Sequence, residues 1–158
     1  MKVNRWTALA GFLFVLGFAA ADETQTIVVL GSSAWTDTGI EVVQGQAVEF
    51  SAEGMISLQK GNPQADCGPE GYDLRTVQQP LADSNLGALI GKVVIAVTVV
   101  KDKKTGQEKS EEAAELFPIG ARSRVEMPVK GRLFLGVNEL VIGDNAGQFT
   151  VTIVTNPE

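Results

Sequence analysis

The chain has 158 residues, a formal net charge of −6 at pH 7, one cysteine and no histidine. This length suits one domain with one core, and the acidic balance argues against nucleic acid as a partner because phosphate binding needs clustered Lys and Arg. Without histidine there is no imidazole base and no imidazole ligand for zinc, and a single cysteine excludes an intrachain disulfide and a Cys-rich metal site. Carboxylate chemistry and oxygen-ligated metals such as calcium remain open.

The amino-terminal residues have the three parts of a secretory signal peptide. Lys2 and Arg5 give a basic start, an apolar run occupies residues 6–21, and that run ends in small residues. The run is shorter than the roughly 20 residues that span a bilayer, so cleavage is expected rather than anchoring. We therefore predict a signal peptide at residues 1–21, a single domain at residues 22–158, a secreted or periplasmic location, and no membrane contact after cleavage.

Most of the chain beyond the signal consists of short apolar segments that are rich in β-branched residues or alternate with polar ones. Such segments, separated by glycine and proline turns, are typical of strands with one solvated face. They lie at residues 27–30, 40–43, 47–52, 55–58, 92–100, 122–127, 133–137 and 149–153. Because helical periodicity is nearly absent, the pattern predicts an all-β fold, an antiparallel β-sandwich.

Several local predictions accompany this pattern. Residues 40–43 and 47–52 flank a Gln-Gly-Gln turn and predict a hairpin, and residues 113–116 predict one helical turn. Cys67 is expected to be a small buried residue, with an intermolecular bridge as the alternative. Trp35 is expected to close the end of the core, with stacking against a ligand as the alternative.

Two segments lack strand periodicity. Residues 59–85 contain several glycines and prolines, and Tyr72, Arg75 and Gln78 supply polar groups within them. A structureless loop of more than about 12–15 residues is uncommon in a compact domain and tends to be functional or disordered. Residues 101–112 are nearly all charged or polar, so we predict an exposed hairpin tip there.

A turn rich in carboxylate and carboxamide groups separates the last two predicted strands. The turn contains Asn138, Glu139, Asp144 and Asn145, together with Gly143 and Gly147. Glycines allow positive φ, and a turn of this composition can direct several hard oxygens to one point, as calcium sites require. The alternative is an ordinary turn that binds nothing, because Asn, Asp and Gly are also the commonest turn residues.

Several pieces of the sequence, in this order, match one known family. They are residues 35–39, Gly45-Gln46, Ala52-Glu53-Gly54, residues 68–71 (Gly-Pro-Glu-Gly), residues 87–90 (Gly-Ala-Leu-Ile), and residues 131–151 with their Val-Asn-Glu and Asp-Asn-Ala-Gly motifs. In these pieces the chain resembles the galactophilic, calcium-dependent lectins of bacteria, the PA-IL or LecA type. The resemblance covers most of residues 22–158 and implies a lectin-like jelly-roll sandwich of the galactose-binding-domain kind.

The resemblance also implies a calcium site and a sugar site. The implied metal ligands are the carbonyl of Leu58 and the side chains of Glu139, Asp144 and Asn145. The implied sugar-binding residues are Arg75, Gln78 and Asp144. The chain departs from the family pattern because Glu139 replaces an Asp, Arg75 replaces a His, and the loop from Glu139 to Asp144 is shorter.

These observations favour an exported, non-catalytic carbohydrate-binding protein that depends on calcium and takes a galactoside-type ligand. The alternative is a structural or protein-interaction β-sandwich of the same fold that has lost metal and sugar binding, which the shortened loop favours. A glycosidase using Glu139 and Asp144 is disfavoured, because side-chain oxygens in one turn suit a cation better than an acid–base pair. We therefore expect no enzymatic activity, and a homo-oligomer is left open.

Overall fold

The computed structural model describes residues 23–77, 79–101 and 108–157. The predicted signal peptide, residues 1–21, lies outside them. Within these ranges the chain forms nine strands and one short 3-10 turn, and it contains no helix long and apolar enough to cross a membrane. The strands are β1 (Glu23–Leu30), β2 (Thr36–Val42), β3 (Ala47–Ser57), β4 (Asp66–Cys67), β5 (Leu89–Lys101), β6 (Glu108–Pro118), β7 (Arg122–Glu126), β8 (Gly131–Val137) and β9 (Ala146–Thr155).

The strands form two antiparallel sheets. One sheet has the order β1-β9-β3, and the other edge of β3 pairs with β7 along residues 47–51 and with β4 at residues 56–57. The second sheet has the order β2-β8-β5-β6. The prediction of an all-β, antiparallel β-sandwich is confirmed.

The core lies between the two sheets because alternate residues of each strand point inward. Phe149, Val151 and Ile153 of β9 are fully buried, and Leu133 and Leu135 of β8 join the same apolar cluster from the other sheet. Each such side chain stabilises the fold by about 1.5–3 kcal/mol relative to leaving it exposed. The sandwich is therefore held by apolar packing between its layers.

Several strands pair differently from the local predictions. The predicted hairpin of residues 40–43 and 47–52 is wrong, because β2 and β3 belong to different sheets. The strand predicted at residues 55–58 is not separate, since β3 continues without a break to Ser57. The last two strands, β8 and β9, also lie in different sheets, so the turn between them is not a hairpin loop. Period-two alternation identifies a strand with one buried face, but it does not say which sheet the strand joins.

The predicted helical turn at residues 113–116 is also wrong. These residues lie inside β6, which pairs with β5 from Pro118 to Glu108. Ala and Leu favour helix weakly, and the long ladder with β5 overrides that preference. Because β5 runs to Lys101 and β6 starts at Glu108, both strands extend into the charged segment for which a hairpin tip is predicted. Residues 102–107 of that segment lie outside the described residues.

The loop predicted at residues 59–85 is irregular, as expected. It holds a 3-10 turn at Pro63–Ala65, the short strand β4, and a bridge between Tyr72 and Leu86 just beyond its end. Cys67 is buried, which confirms the expected packing role.

Trp35 is a packing residue, but it does not close the core. Its ring lies over Gly136, where an added Cβ would come within 2.7 Å of the indole. Gly136 alternates with the core residues Leu135 and Val137, so the indole covers the outer face of its sheet. The Lys92 ammonium lies 4.4 Å from the centre of the same ring.

Candidate functional site

The acidic turn, which we define as residues 138–145, connects β8 to β9. It passes from one sheet to the other, so strands of both sheets hold its ends. The β3–β9 ladder ends beside it with the pair Ser57 and Ala146. This register places Leu58, which follows β3, next to Asn145, which precedes β9.

Asn145 is the buried centre of the acidic turn, with 6% of its surface exposed. Its Nδ2 donates to the Gly31 carbonyl at 3.1 Å and to Glu139 Oε2 at 2.6 Å. Its Oδ1 is buried and has no hydrogen-bond partner among the described residues. Buried polar atoms normally have partners, so an unsatisfied acceptor beside a carboxylate needs an explanation.

Glu139 and Asp144 supply two carboxylates to the same turn. Burial raises the pKa of Glu139 above its usual value, the hydrogen bond from Asn145 opposes this, and the nearby charge of Asp144 adds to it. Asp144 is exposed, and its carbonyl accepts a hydrogen bond from the main-chain N–H of Lys60 at 2.8 Å. A bound cation would stabilise the ionised form of both carboxylates.

The donor atoms of the acidic turn fit a calcium ion in their chemistry. In the described part of the chain, no three His, Cys, Asp or Glu side chains form a metal-binding group. The turn instead combines two carboxylates with a carboxamide oxygen and the carbonyl of the adjacent Leu58. Calcium accepts such mixed oxygen ligands with loose geometry, whereas zinc and copper prefer nitrogen or sulfur.

The predicted sugar contacts do not all meet at the acidic turn. Arg75 is exposed and borders a concavity of about 210 Å³, whose walls include Glu70, Asn85 and Gly120 and no residue of the acidic turn. Gln78 lies outside the described residues. The structure thus places Glu139, Asp144 and Asn145 in one turn, with Asn145 hydrogen-bonded to Glu139, and places Arg75 beside a separate depression.

Asn138, which the sequence places in the polar turn, has a positioning role that the sequence does not reveal. It is fully buried, and its Oδ1 accepts from the Leu81 N–H at 2.8 Å. Its Nδ2 donates to the carbonyls of Leu81 at 2.9 Å and Asn85 at 3.1 Å. Asn138 therefore ties the loop around residues 79–85 to the acidic turn. The signal available in the sequence is a carboxamide that directly follows the apolar residues of β8.

Leu140 and Val141 were not predicted as site residues either. They are 62% and 63% exposed and lie between Glu139 and Asp144 in the acidic turn. Exposed apolar side chains beside hard oxygen ligands give this surface both polar and apolar character, as ligand sites usually have.

Comparison with known proteins supports the fold. No family model matches the chain, and no curated protein gives a significant match. A solved structure described as the EclA N-terminal domain, a PllA-like lectin, superposes with a TM-score of 0.57 and 20% sequence identity, covering 82% of this chain and 94% of that chain. At this identity the likeness establishes a shared fold: the chain has the β-sandwich of a lectin domain.

Proposed function

We propose that this protein is an exported, non-catalytic lectin that binds a galactoside-type sugar through a calcium ion held at the acidic turn. One observation carries the proposal: Asn145 Oδ1 is buried without a partner, and the same side chain is bonded to the Glu139 carboxylate. An unsatisfied buried acceptor costs about 1–3 kcal/mol, and coordination to a cation would offset that cost. The fold shared with a lectin domain supports the same function.

Each residue of the acidic turn has a task in this proposal. The Glu139 and Asp144 carboxylates supply negative charge, while Asn145 Oδ1 and the Leu58 carbonyl supply neutral oxygens. A calcium ion held by these residues would offer coordination positions to two neighbouring sugar hydroxyls. Because Asp144 is exposed, its carboxylate can also accept a hydrogen bond from the sugar and orient the ring.

Thermal unfolding with EDTA and then with excess calcium tests the metal. A ligand at 100 times its dissociation constant adds about 2.7 kcal/mol to the free energy of unfolding, which corresponds to about 10 °C in Tm for a domain of this size. We expect that rise in the wild type and in Asp83→Ala, an exposed control outside the turn, and its loss in Asp144→Ala. An unchanged Tm in calcium would contradict the metal site.

Binding to immobilised glycans, with and without EDTA, tests the sugar. We expect retention on galactosides in calcium, elution by EDTA, and loss of binding in Asp144→Ala. Arg75 and Gln78 are proposed as further sugar contacts, so Arg75→Ala and Gln78→Ala should weaken binding while leaving the calcium-dependent rise in Tm intact. A calcium response without retention on any glycan would separate the metal site from lectin activity.

The structural or protein-interaction sandwich is the alternative function. The concavity beside Arg75 is separate from the acidic turn, which is the observation that favours it. This alternative predicts that calcium does not raise the Tm and that the protein does not bind immobilised glycans. It also predicts that Asp144→Ala has the same Tm response and the same lack of glycan binding as the wild type.

A further inference from the structure

A small depression lies beside Arg75, away from the acidic turn. Its volume is about 210 Å³, and its walls include Glu70, Arg75, Ser84, Asn85 and Pro118. Pockets for drug-sized ligands have volumes of roughly 300–1,000 Å³, so this one suits a smaller molecule. Charged, polar and apolar groups meet on its surface, as they do at sites that fix the orientation of a ligand. We call it the Arg75 depression.

The Arg75 depression holds two opposite charges that are not paired with each other. Glu70 and Arg75 are both exposed, and no ion pair joins them. Within the ranges that the structure describes, Arg75 has no other carboxylate partner either. Opposite charges that share a small concavity attract a molecule with complementary charges at its two ends. A ligand with one charge would be attracted by one wall and repelled by the other.

Glu70 is held in position by the protein itself. Its Oε1 accepts a hydrogen bond from the Ala121 N–H at 2.7 Å, and its carbonyl accepts one from Asn85 Nδ2 at 3.1 Å. The carboxylate lies against Gly120, where an added Cβ would come within 2.8 Å of Oε2. Gly120 also has a φ of 70°, a conformation that favours glycine. Glu70 Oε2 has no hydrogen-bond partner among the described residues, so it can accept a hydrogen bond from a ligand.

The main chain on both sides of Arg75 is also fixed by hydrogen bonds. The Leu86 N–H donates to the Leu74 carbonyl at 2.8 Å, and the Thr76 N–H donates to Gln79 Oε1 at 3.0 Å. Gln79 is itself buried. The guanidinium group therefore extends from a segment that is already ordered. Binding a ligand has to order only the side chain, which lowers the entropic cost.

We propose that the Arg75 depression binds a small zwitterion of the α-amino acid class. The Arg75 guanidinium donates to the carboxylate of the ligand in the bidentate geometry that this pair favours. Glu70 Oε2 accepts from the ammonium group of the ligand, and an apolar ligand side chain lies against Pro118, which is exposed. This inference goes beyond the proposed lectin function, because the site uses no metal and no residue of the acidic turn.

Titration of the protein with valine, followed by nuclear magnetic resonance, tests the site. The solution contains EDTA and no sugar, so the result does not depend on the proposed lectin site. We expect saturable shifts of the Gly120 and Ala121 amide signals. The absence of any shift would overturn the proposal.

Two probes matched to valine each lack one of its charges. The first, 3-methylbutanoate, has no ammonium group, and the second, valinamide, has no carboxylate. Each should bind at least about tenfold more weakly than valine, because hydrogen bonds between charged groups are the strong ones. Equal binding of the three compounds would show that the depression does not recognise a zwitterion.

Substitutions at the two charged walls test which side chain holds which group of the ligand. Arg75→Gln should raise the Kd for valine at least about tenfold and abolish the preference for valine over valinamide. Glu70→Gln keeps the oxygen that accepts from Ala121, removes the charge, and should abolish the preference over 3-methylbutanoate. Lys130→Gln and Glu126→Gln are matched controls that should bind valine as the wild type does, because both residues are exposed and neither lines the depression. Unchanged valine binding in Arg75→Gln or in Glu70→Gln would contradict the proposal.

Discussion

Asn138 and Asn145 are both buried carboxamides of the acidic turn, and they differ in how their oxygens are satisfied. Asn138 Oδ1 accepts from the Leu81 N–H at 2.8 Å, whereas Asn145 Oδ1 has no partner in the part of the chain that the structure describes. The first is a structural tie between two loops. The second is the atom that the proposed calcium ion would use, so the two side chains should respond differently to replacement.

Asn138→Ala should destabilise the protein by about 2–4 kcal/mol, because it leaves the part-buried Leu81 N–H without its acceptor, removes one of the donors to the Leu81 and Asn85 carbonyls, and empties a fully buried position. Urea unfolding measures the loss, and hydrogen exchange at the Leu81 amide should accelerate. Asn62→Ala serves as a control, since Asn62 bonds only within its own turn and should cost less. An Asn138→Ala variant as stable as the control would contradict the tie.

Cys67 makes a pH-dependent contribution to the free energy of unfolding, and the sign of that contribution follows from the burial of its thiol. Burial raises the pKa of the Cys67 thiol to about 11, with help from the charges of Glu139 and Asp66. Because the folded pKa lies above the unfolded value, the stabilising contribution is complete below about pH 9 and is lost as pH rises through about 11.

The wild type should therefore lose more unfolding free energy between pH 8 and pH 10.5 than Cys67→Ala does, as measured by urea unfolding at both values. The folded thiol should also react slowly with alkylating reagents at pH 8, because it is neutral and covered. If the free energy of unfolding falls equally with pH in the two proteins, the pKa of the thiol does not change on folding.

β5 carries a lysine where its outer face is covered rather than solvated. The Lys92 side chain is 9% exposed, its ammonium pairs with Glu112 at 2.7 Å, and it lies beside the rings of Trp35 and Phe134. The aliphatic part of the Lys92 side chain is buried, while its ammonium group forms an ion pair with Glu112. Glu112 belongs to the distal part of β6, so this pair also links the protruding hairpin to the body of the sheet.

Lys92→Met keeps the stem and should change the free energy of unfolding by no more than about 1 kcal/mol, because the Glu112 side chain that loses its partner is 40% exposed and water can solvate its charge. Lys92→Ala removes the packing under the indole as well and should cost about 1–3 kcal/mol more, with a red shift of tryptophan emission. Urea unfolding followed by fluorescence compares the two variants. If Met costs as much as Ala, the charge rather than the stem holds the cluster together.

The strands of this sandwich could be predicted from sequence, but their arrangement could not. Alternation in residues 149–153 marks a strand with one buried face, and β9 has that burial pattern. The turns before β3 and β9 resemble hairpin turns in composition, yet both cross between sheets, because neighbouring strands in the chain can join either layer at similar turn length.

For the candidate site, the sequence indicates which residues carry oxygen donors, but it does not indicate how those residues are arranged in space. Glu139, Asp144 and Asn145 stand out in the sequence as oxygen donors in a glycine-bounded turn. The orientation of the Asn145 amide group depends on the hydrogen bond that its Nδ2 donates to the Gly31 carbonyl, and Gly31 is 114 residues away along the chain. No local pattern in the sequence reveals that bond or the Oδ1 that it leaves unsatisfied. The position of Arg75 depends on how an irregular loop packs, and no local pattern encodes that.

At the scale of the whole molecule, the first sheet is completed by the strand nearest the carboxyl end. β9 lies between β1 and β3 and pairs with both along most of its length. The Thr155 hydroxyl donates to the Glu23 carbonyl across a sequence separation of 132 residues. Such non-local pairing makes folding slow, because loop closure costs entropy before the contacts form.

A chain that ends at residue 145 should therefore stay unfolded, as judged by the absence of a cooperative transition on heating. Truncation at residue 155 is the control and should preserve the transition, because it keeps all of β9. A folded protein ending at residue 145 would mean that β1 and β3 find each other without β9.

The central position of β9 also sets when the chain can fold during its synthesis. Until β9 has left the ribosome, β1 and β3 have no strand between them and the acidic turn has only one anchored end. The first sheet therefore cannot close before residue 155 has been added, and β1 and β3 keep unpaired edges until then.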